Sequence, residues 1–225
     1  YNEVSRGASN LNVKGCIRFF DYYCMWSKTI TKRLKKDGCS RVLYLPFAYD
    51  EDFHLRPDKI SVSQPEFIAF VGTWDKPREL LLSELGDFNV KIFGNGWSRA
   101  SKDFPLKNNV SSEAIFGDDL STIISSAVVA LNPMRSQNIG SHNMRSFEIP
   151  ASGGLMLTTR SSEQEEFFPD SQASFMYSDI DELKQKLKYI ISNREEALRV
   201  RECGMKLVSN HTYTSRVQYL LETIK

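Results

Sequence analysis

Short apolar runs alternate with helical segments along most of this chain, and that alternation constrains the fold more than any other feature. From residue 67 to residue 177, each run rich in β-branched and aromatic residues ends in Gly, Pro or polar residues, and helical segments separate the runs. Strands that alternate with helices at this spacing form a parallel sheet with helices on both faces. The sequence therefore predicts an α/β fold with a Rossmann-like, doubly wound parallel sheet.

The element boundaries follow from the apolar runs and from the capping residues between them. The predicted strands cover residues 17–26, 41–45, 67–72, 90–94, 128–131, 155–158 and 173–177. The predicted helices cover residues 29–36, 77–85, 114–125, 143–152, 162–168, 179–192, 194–209 and 212–224.

A polar stretch with Pro57 and Pro65 divides the chain into two unequal parts. The residues before it supply only one β-α-β step, which is too little for a domain. We therefore predict that residues 1–60 are the tail of a larger Rossmann-like domain with its linker, and that residues 61–209 form a second such domain. Residues 210–225 are predicted to be a C-terminal helix that packs back towards the N-terminal part. The chain begins at Tyr1 rather than at Met, so we expect it to be a piece of a longer protein.

Composition excludes several classes of partner. The formal net charge is +1, from 29 basic and 28 acidic residues, so no strong field attracts nucleic acid. The apolar runs are far shorter than a membrane span, which predicts no transmembrane segment and leaves peripheral membrane association open. No signal peptide is visible, and we expect a cytoplasmic protein.

The cysteines and histidines predict no metal site. Cys16, Cys24, Cys39 and Cys203 show neither zinc-ribbon nor redox CxxC spacing, which favours free thiols in a reducing compartment. The three histidines are scattered and form no pair at helical spacing.

Ligands of open α/β sheets bind beyond the carboxyl ends of the strands, so the strand ends carry the candidate site residues. After the strand at 67–72 these are Gly72, Thr73, Trp74 and Arg78. Gly72 lets the backbone approach a ligand and Arg78 can reach a phosphate, although a tight turn with surface charge fits the same residues. After the strand at 90–94 they are Gly94 and Trp97, where Trp97 either stacks on a ligand or caps the core.

The third strand end is the richest in polar residues. The segment 132–154 reads NPMRSQNIGSHNMRSFEIPASGG and leads from a strand into a helix. Cations and backbone amides that converge at a helix start form an anion site. The candidates here are Arg135, Asn138, Ser141, His142, Asn143 and Arg145.

Glu148 lies farther along the same predicted helix, next to a segment too apolar and too small for an open surface. A carboxylate that faces inward there needs a polar partner, and a ribose diol can donate from two adjacent hydroxyls. A solvated surface glutamate is the alternative. Pro150 removes one backbone donor from the helix. With the arginines, Glu148 predicts a site for a nucleotide diphosphate-sugar.

The same residues carry a family resemblance. The segments FVGTWDKPRELLLSEL, VKIFGNGW, LNPMRSQNIGSHNMRSFEIPASGGLMLT, ELKQKLKYI and HTYTSRV resemble the C-terminal half of CgeB-like glycosyltransferases, which are group-1-type enzymes of the GT-B fold. The stretch FDYYCMWSKTITKRLKKDGCSRVLYLPFAYD resembles the last β-α-β step of that family's N-terminal domain.

The resemblance implies two Rossmann-like domains separated by a cleft, with the sugar nucleotide on the C-terminal domain and the acceptor on the N-terminal one. Glu148 looks like the family's ribose-binding glutamate. Related enzymes often carry another glutamate eight residues earlier, where this chain has Gly140, so the donor sugar does not follow from the resemblance. No metal or cofactor is implied, because basic side chains and helix dipoles stabilise the leaving diphosphate.

These observations predict a glycosyltransferase that transfers a hexose-type sugar to an unidentified sugar, lipid or protein acceptor. Arg78, Arg135 and Arg145 are the candidates for the diphosphate charge. Asn138 and Asn143 are candidates for contacts to phosphate or sugar, and amides near His142 and Asn143 would add dipolar stabilisation. Two alternatives remain open, a sugar-nucleotide epimerase of similar fold and a non-catalytic nucleotide-binding module.

Overall fold

The structure is a computed structural model that describes residues 19–54, 67–111, 113–138 and 140–224. Its strands are β1 (Tyr23–Met25), β2 (Val42–Tyr44), β3 (Ile68–Val71), β4 (Val90–Phe93), β5 (Val110–Ser111), β6 (Val129–Asn132), β7 (Met156–Thr159) and β8 (Phe175–Tyr177). Its α-helices are α1 (Lys28–Lys36), α2 (Lys76–Ser83), α3 (Gly117–Ser126), α4 (Arg145–Ala151), α5 (Ser162–Phe167), α6 (Ile180–Ser192), α7 (Arg194–Val208) and α8 (Tyr213–Thr223).

Six parallel strands form the main sheet in the order β5-β4-β3-β6-β7-β8, which confirms the predicted α/β fold class. The central strands of the sheet, β3 and β6, are buried on both faces, while β4 exposes Lys91 on one of them. On β3, Ile68 and Phe70 pack on one side with leucines of α2 and α6, while Ala69 packs on the other with α3 and α4. Strands buried on both faces are typical of parallel sheets. The carboxyl ends of β3 and β6 therefore meet at one edge, beside the starts of α2 and α4.

The small sheet of β1 and β2 is also parallel and is joined by α1. Met25, Ile30, Leu34 and Val42 form its core. Beyond β2 the chain contacts the last helix, because Tyr49 and Thr212 form a parallel bridge and Arg216 donates to the carbonyl oxygens of Pro46 and Phe47. The division into domains at residues 60 and 209 stays a prediction.

Several predicted boundaries were wrong. The first predicted strand, 17–26, shrinks to β1, because β1 pairs only with the three residues of β2, while Asp21 precedes it and residues 17–18 lie outside the described part. The helix predicted at 114–125 begins at Gly117, after Phe116 in extended conformation. The strand β5 was not predicted, since only two of its residues pair with β4. Of the polar stretch predicted as a linker, residues 50–65, only residues 50–54 are described, and they form a turn, while residues 55–65 lie outside the described part.

The cysteines that the structure describes, Cys24, Cys39 and Cys203, are free, as predicted, and Cys16 lies outside the described part. Within residues 19–54, 67–111, 113–138 and 140–224, no helix is long and apolar enough to cross a bilayer. The same described residues hold no group of three or more His, Cys, Asp or Glu side chains arranged for a metal ion.

Candidate functional site

A cleft of about 870 Å³ opens at the carboxyl edge of the main sheet. The structure brings eight of the predicted site residues into its lining: Gly72, Thr73, Arg78, Arg135, Asn138, Asn143, Arg145 and Glu148. A second cavity of about 570 Å³ adjoins it and shares Arg78 and Arg135 with it. The strand ends therefore converge on one concave site, as expected for an open α/β sheet.

The guanidinium groups of Arg78, Arg135 and Arg145 line this cleft, and the carboxylate of Asp75 lies close to the first two. Arg135 Nε donates to Asp75 Oδ2 over 3.0 Å, while Arg78 Nε lies 3.7 Å from the same oxygen. Arg78 Nη1 also donates to the carbonyl of Thr73. The carboxylate of Asp75 is further engaged as the N-cap of α2, where it accepts from the Arg78 amide. Asp75 thus joins the start of α2, which carries Arg78, to the segment after β6, which carries Arg135.

Arg78 is the most constrained of the three cations. Burial, and next the charge of Arg135, lowers its pKa to about 10, with a smaller contribution from Arg145. Its Nε is buried without a hydrogen-bond partner among the residues that the structure describes. Gly72 makes this packing feasible, because a Cβ there would lie 3.2 Å from Arg78 Nη1 and 2.9 Å from the Phe70 ring. A bound anion would relieve the repulsion between the guanidinium groups.

Glu148 lies on the first turn of α4 with its side chain 13% exposed. One carboxylate oxygen, Oε2, accepts a hydrogen bond from Arg145 Nη1. The other, Oε1, lies 3.6 Å from His54 Nε2. The carboxylate is therefore held from two sides at the cleft wall.

Asn143 is engaged in the start of α4. Its Oδ1 accepts from the amide of Ser146, and its Nδ2 donates to Asn132 Oδ1 over 2.9 Å. The Asn143 amide in turn lies 3.3 Å from Ser146 Oγ. Side-chain caps of this kind satisfy backbone donors that a helix start leaves open. The helix begins at Arg145, two residues later than predicted, with Met144 in the N-cap position, and Asn143 lines the cleft while its side chain accepts from the Ser146 amide.

Three predicted residues on the neighbouring turns lie outside the cleft lining. Trp97 is buried, stacks on Phe104 and donates from Nε1 to the carbonyl of Gly72. Trp74 donates to Glu79. Gly94 has φ +133, and a Cβ there would meet the Gly72 carbonyl oxygen at 2.5 Å. These contacts stabilise the turn that carries Gly72 and Thr73. Trp97 caps the core, which is the alternative to stacking on a ligand.

Ser141 and His142 are fully buried and also lie outside the cleft lining. Both donate to Glu163 on α5, Ser141 from Oγ over 3.2 Å and His142 from Nδ1 over 3.2 Å. His142 Nε2 accepts from the amide of Phe47 over 3.1 Å, which places the imidazole proton on Nδ1. The loop between β6 and α4 is thereby fastened to the segment that follows β2.

Glu163 collects further donors from the small sheet and its helix. It accepts from the Lys28 amide over 2.8 Å, from Tyr44 Oη over 3.2 Å and from Ser27 Oγ over 3.3 Å. Burial raises the pKa of the Glu163 carboxyl, but the hydrogen bonds, first that from His142, outweigh it and leave the pKa lowered. Burial lowers the pKa of His142. The pair is an ionised carboxylate and a neutral imidazole that join the two parts of the chain.

Sequence reasoning missed part of the cleft wall. The unpredicted lining residues include Trp26, Phe47, Asp50, Phe53, His54, Phe116, Met144 and Tyr213. Most come from the segment after β1 and β2 or from α8, which reach the cleft only through long-range packing. Phe53, Phe116 and Met144 are exposed apolar side chains at the cleft. Exposed apolar side chains indicate a binding surface, but the sequence alone does not show which apolar residues are exposed.

Residues 78–222 match the model of a protein family described as glycosyl transferase-like. No curated protein sequence matches the chain significantly.

Solved structures of glycosyltransferases share the fold. Alr3699/HepE from Anabaena, solved with UDP and glucose, has a TM-score of 0.76 and 13% identity over 96% of this chain and 66% of its own. Sucrose-phosphate synthase from Thermosynechococcus elongatus has the same TM-score, 0.76, and 13% identity over 99% of this chain and 62% of its own. WaaG, a glycosyltransferase involved in lipopolysaccharide biosynthesis, has a TM-score of 0.72 and 12% identity over 97% of this chain and 68% of its own. The chain spans less than two thirds of the first two, and the fold is that of GT-B glycosyltransferases.

Proposed function

Since the chain belongs to the glycosyl transferase-like family, we propose that it binds a nucleotide diphosphate-sugar in the cleft and supplies the donor side of a transfer to an acceptor. The observation that carries this proposal is the convergence of Arg78, Arg135 and Arg145 beside Glu148 at the carboxyl edge of a parallel sheet. That arrangement offers cations for a diphosphate and a carboxylate for a ribose in one cavity.

The arginines take the role of diphosphate ligands. Guanidinium groups bind phosphate oxygens through paired N–H donors, and the lowered pKa of Arg78 indicates a site that a dianionic group would stabilise. The leaving diphosphate would gain its charge at these groups, so they assist bond cleavage as well as binding. A seven-residue helix such as α4 adds little dipole, and the side chains carry most of the electrostatic stabilisation.

Glu148 takes the role of ribose ligand. Its carboxylate faces the cleft, is anchored at Oε2 by Arg145 and has lone pairs left to accept from vicinal hydroxyls. Asn138, buried on the loop before α4, is the candidate for a contact to phosphate or to the sugar.

The proposal also covers the enzyme subtype, the donor sugar, the acceptor and the location of the protein. The motifs that resemble CgeB-like enzymes favour that subtype, while the hexose-type donor and the cytoplasmic location stay predictions from the sequence. The acceptor is a sugar, a lipid or a protein, and no cofactor or metal is required because the guanidinium groups neutralise the diphosphate. The family match does not favour the epimerase or the non-catalytic module.

A thermal-shift panel tests the proposal. UDP-glucose, GDP-mannose and ADP-glucose, with their nucleoside diphosphates, should be compared in the presence and absence of EDTA. A binder at a hundred times its Kd should add roughly 2.7 kcal/mol of stability, and chelation should not change the shift. No shift with any of these compounds would contradict nucleotide-sugar binding.

Replacing Glu148 by glutamine is expected to weaken nucleoside diphosphate binding by roughly 1.5–3 kcal/mol, because one charged acceptor for the ribose hydroxyls is lost. The shape of the side chain is kept, so the midpoint of thermal unfolding without ligand should change little. Isothermal titration calorimetry with the best ligand of the panel measures the effect. An unchanged Kd would remove Glu148 from the site.

A further inference from the structure

A histidine from the turn after the small sheet meets the carboxylate of Glu148. His54 lies on the turn at residues 50–54, more than ninety positions before Glu148, and its Nε2 is 3.6 Å from Glu148 Oε1. Both side chains line the cleft and are 12% and 13% exposed. The contact joins the first part of the chain to the proposed ribose ligand.

The turn fixes the orientation of the imidazole ring. The His54 amide donates to the carbonyl of Asp50 over 3.0 Å, which closes the turn. The ring Nδ1 lies 3.3 Å from the amide nitrogen of Asp50 and 3.1 Å from its carbonyl oxygen. When Nδ1 accepts from that amide, the ring proton sits on Nε2 and faces Glu148. A protonated ring keeps the same Nε2–H and donates from Nδ1 to the carbonyl. In these two forms an N–H dipole points at the carboxylate, and the charge of Glu148 disfavours the remaining form, a neutral ring that donates from Nδ1 to the Asp50 carbonyl and turns the Nε2 lone pair to Glu148.

The two oxygens of Glu148 thus have different neighbours. Arg145 on the same helix binds Oε2, and His54 from the distant turn faces Oε1. An acceptor for two vicinal hydroxyls must present both oxygens in a fixed plane, and side chains that hold a ligating carboxylate from behind set that plane. Arg145 contacts only one of the two oxygens, so a neighbour at Oε1 adds a second constraint on the plane of the carboxylate.

We propose that His54 is a positioning residue that orients the Glu148 carboxylate towards the ribose hydroxyls and so sets the preference of the cleft for ribonucleotides. This inference rests on the proposed function, because it requires a nucleotide at Glu148. It predicts that His54 on the 50–54 turn affects the preference for ribose over deoxyribose, and not only the overall affinity for the nucleotide.

The test compares UDP with 2′-deoxy-UDP by titration calorimetry, or the matching pair for the base that the panel selects. Wild-type protein should prefer the ribonucleotide. His54→Ala should lower the ratio of the two affinities about two- to tenfold, and His54→Gln, whose amide N–H can take the place of Nε2–H, should restore much of it. Asp52→Asn is the matched control, since Asp52 is an exposed residue of the same turn without a contact to Glu148, and it should leave the ratio unchanged.

The outcomes separate the inference from the proposed function. If His54 acts through Glu148, His54→Ala should lower the ratio of UDP affinity to 2′-deoxy-UDP affinity in the wild-type background. Adding His54→Ala to Glu148→Gln should then lower the ratio no further than Glu148→Gln does alone. Equal losses of affinity for both nucleotides, or an unchanged ratio, overturn the role of His54 while nucleotide binding stands. A wild-type protein that binds neither nucleotide overturns the proposed function and the inference with it.

Discussion

Replacing Glu163 by alanine is expected to lower the free energy of unfolding by about 3 kcal/mol or more, because three buried donors lose their acceptor at once and each buried donor left unsatisfied costs roughly 1–3 kcal/mol. Five donors converge on this carboxylate: Ser27 Oγ, the Lys28 amide, Tyr44 Oη, Ser141 Oγ and His142 Nδ1. Alanine leaves Ser27 Oγ, Ser141 Oγ and His142 Nδ1 without this acceptor in buried positions, where an unsatisfied donor is costly, while the Lys28 amide and Tyr44 Oη are only partly buried. Urea unfolding followed by circular dichroism measures the effect.

Glu166 provides a matched control on the same helix. Its carboxylate pairs with Lys28 but is about half exposed, and an exposed pair of this kind contributes about 0–1 kcal/mol. Glu166→Ala should therefore leave the unfolding midpoint nearly unchanged. If Glu163→Ala and Glu166→Ala were equally stable, the network would not hold the two parts of the chain together.

The same network predicts the direction of the pH dependence. The lowered pKa values of Glu163 and His142 mean that the folded state binds fewer protons than the unfolded state. Stability should fall as pH decreases, first below the ordinary histidine value near 6.5 and again as Glu163 becomes protonated.

Replacing Arg135 and Arg145 together by alanine is expected to weaken nucleoside diphosphate binding by about 3–6 kcal/mol, since each charged hydrogen bond contributes roughly 1.5–3 kcal/mol. Affinity for the bare nucleoside should change much less, because it carries no phosphate for these groups to bind. The single variants should show intermediate losses, and Arg145→Ala should also affect the ribose contact because Arg145 holds Glu148. Calorimetry with UDP and uridine measures both affinities.

Arg99 is the matched control for the arginine variants. It is exposed, lies over the Trp74 ring at 4.6 Å and does not line the cleft. Arg99→Ala should leave the Kd for UDP unchanged. If the double variant lost equal affinity for UDP and uridine, Arg135 and Arg145 would not read phosphate.

Local patterning was enough to predict the main sheet. The runs that became β3, β4, β6, β7 and β8 are short and flanked by glycine, proline or capping residues, and parallel strands with both faces buried keep most of each run apolar, with the exposed Lys91 of β4 as an exception. Because the carboxyl ends of these strands share one edge, their polar ends, including Arg78, Arg135 and Glu148, could be expected to meet. The two-residue strand β5 carries no such pattern and was missed.

Contacts between distant segments could not be predicted in the same way. Glu163 reads in the sequence as an ordinary acidic residue in the first turn of a helix, and only the fold shows its donors from α1 and β2. His54 reads as an isolated histidine within the predicted linker. His142 was expected to lie near the phosphate, but its pairing with Glu163 and Phe47 draws its side chain into the core.

A crystal structure of this chain with the sugar nucleotide that gives the largest thermal shift tests the proposed donor site most directly. We expect the diphosphate within hydrogen-bond distance of Arg78, Arg135 or Arg145, and a ribose hydroxyl bound to Glu148, inside the cleft lined by Gly72 and Thr73. A nucleotide bound elsewhere on the chain, or one in this cleft with its ribose turned away from Glu148, would contradict it.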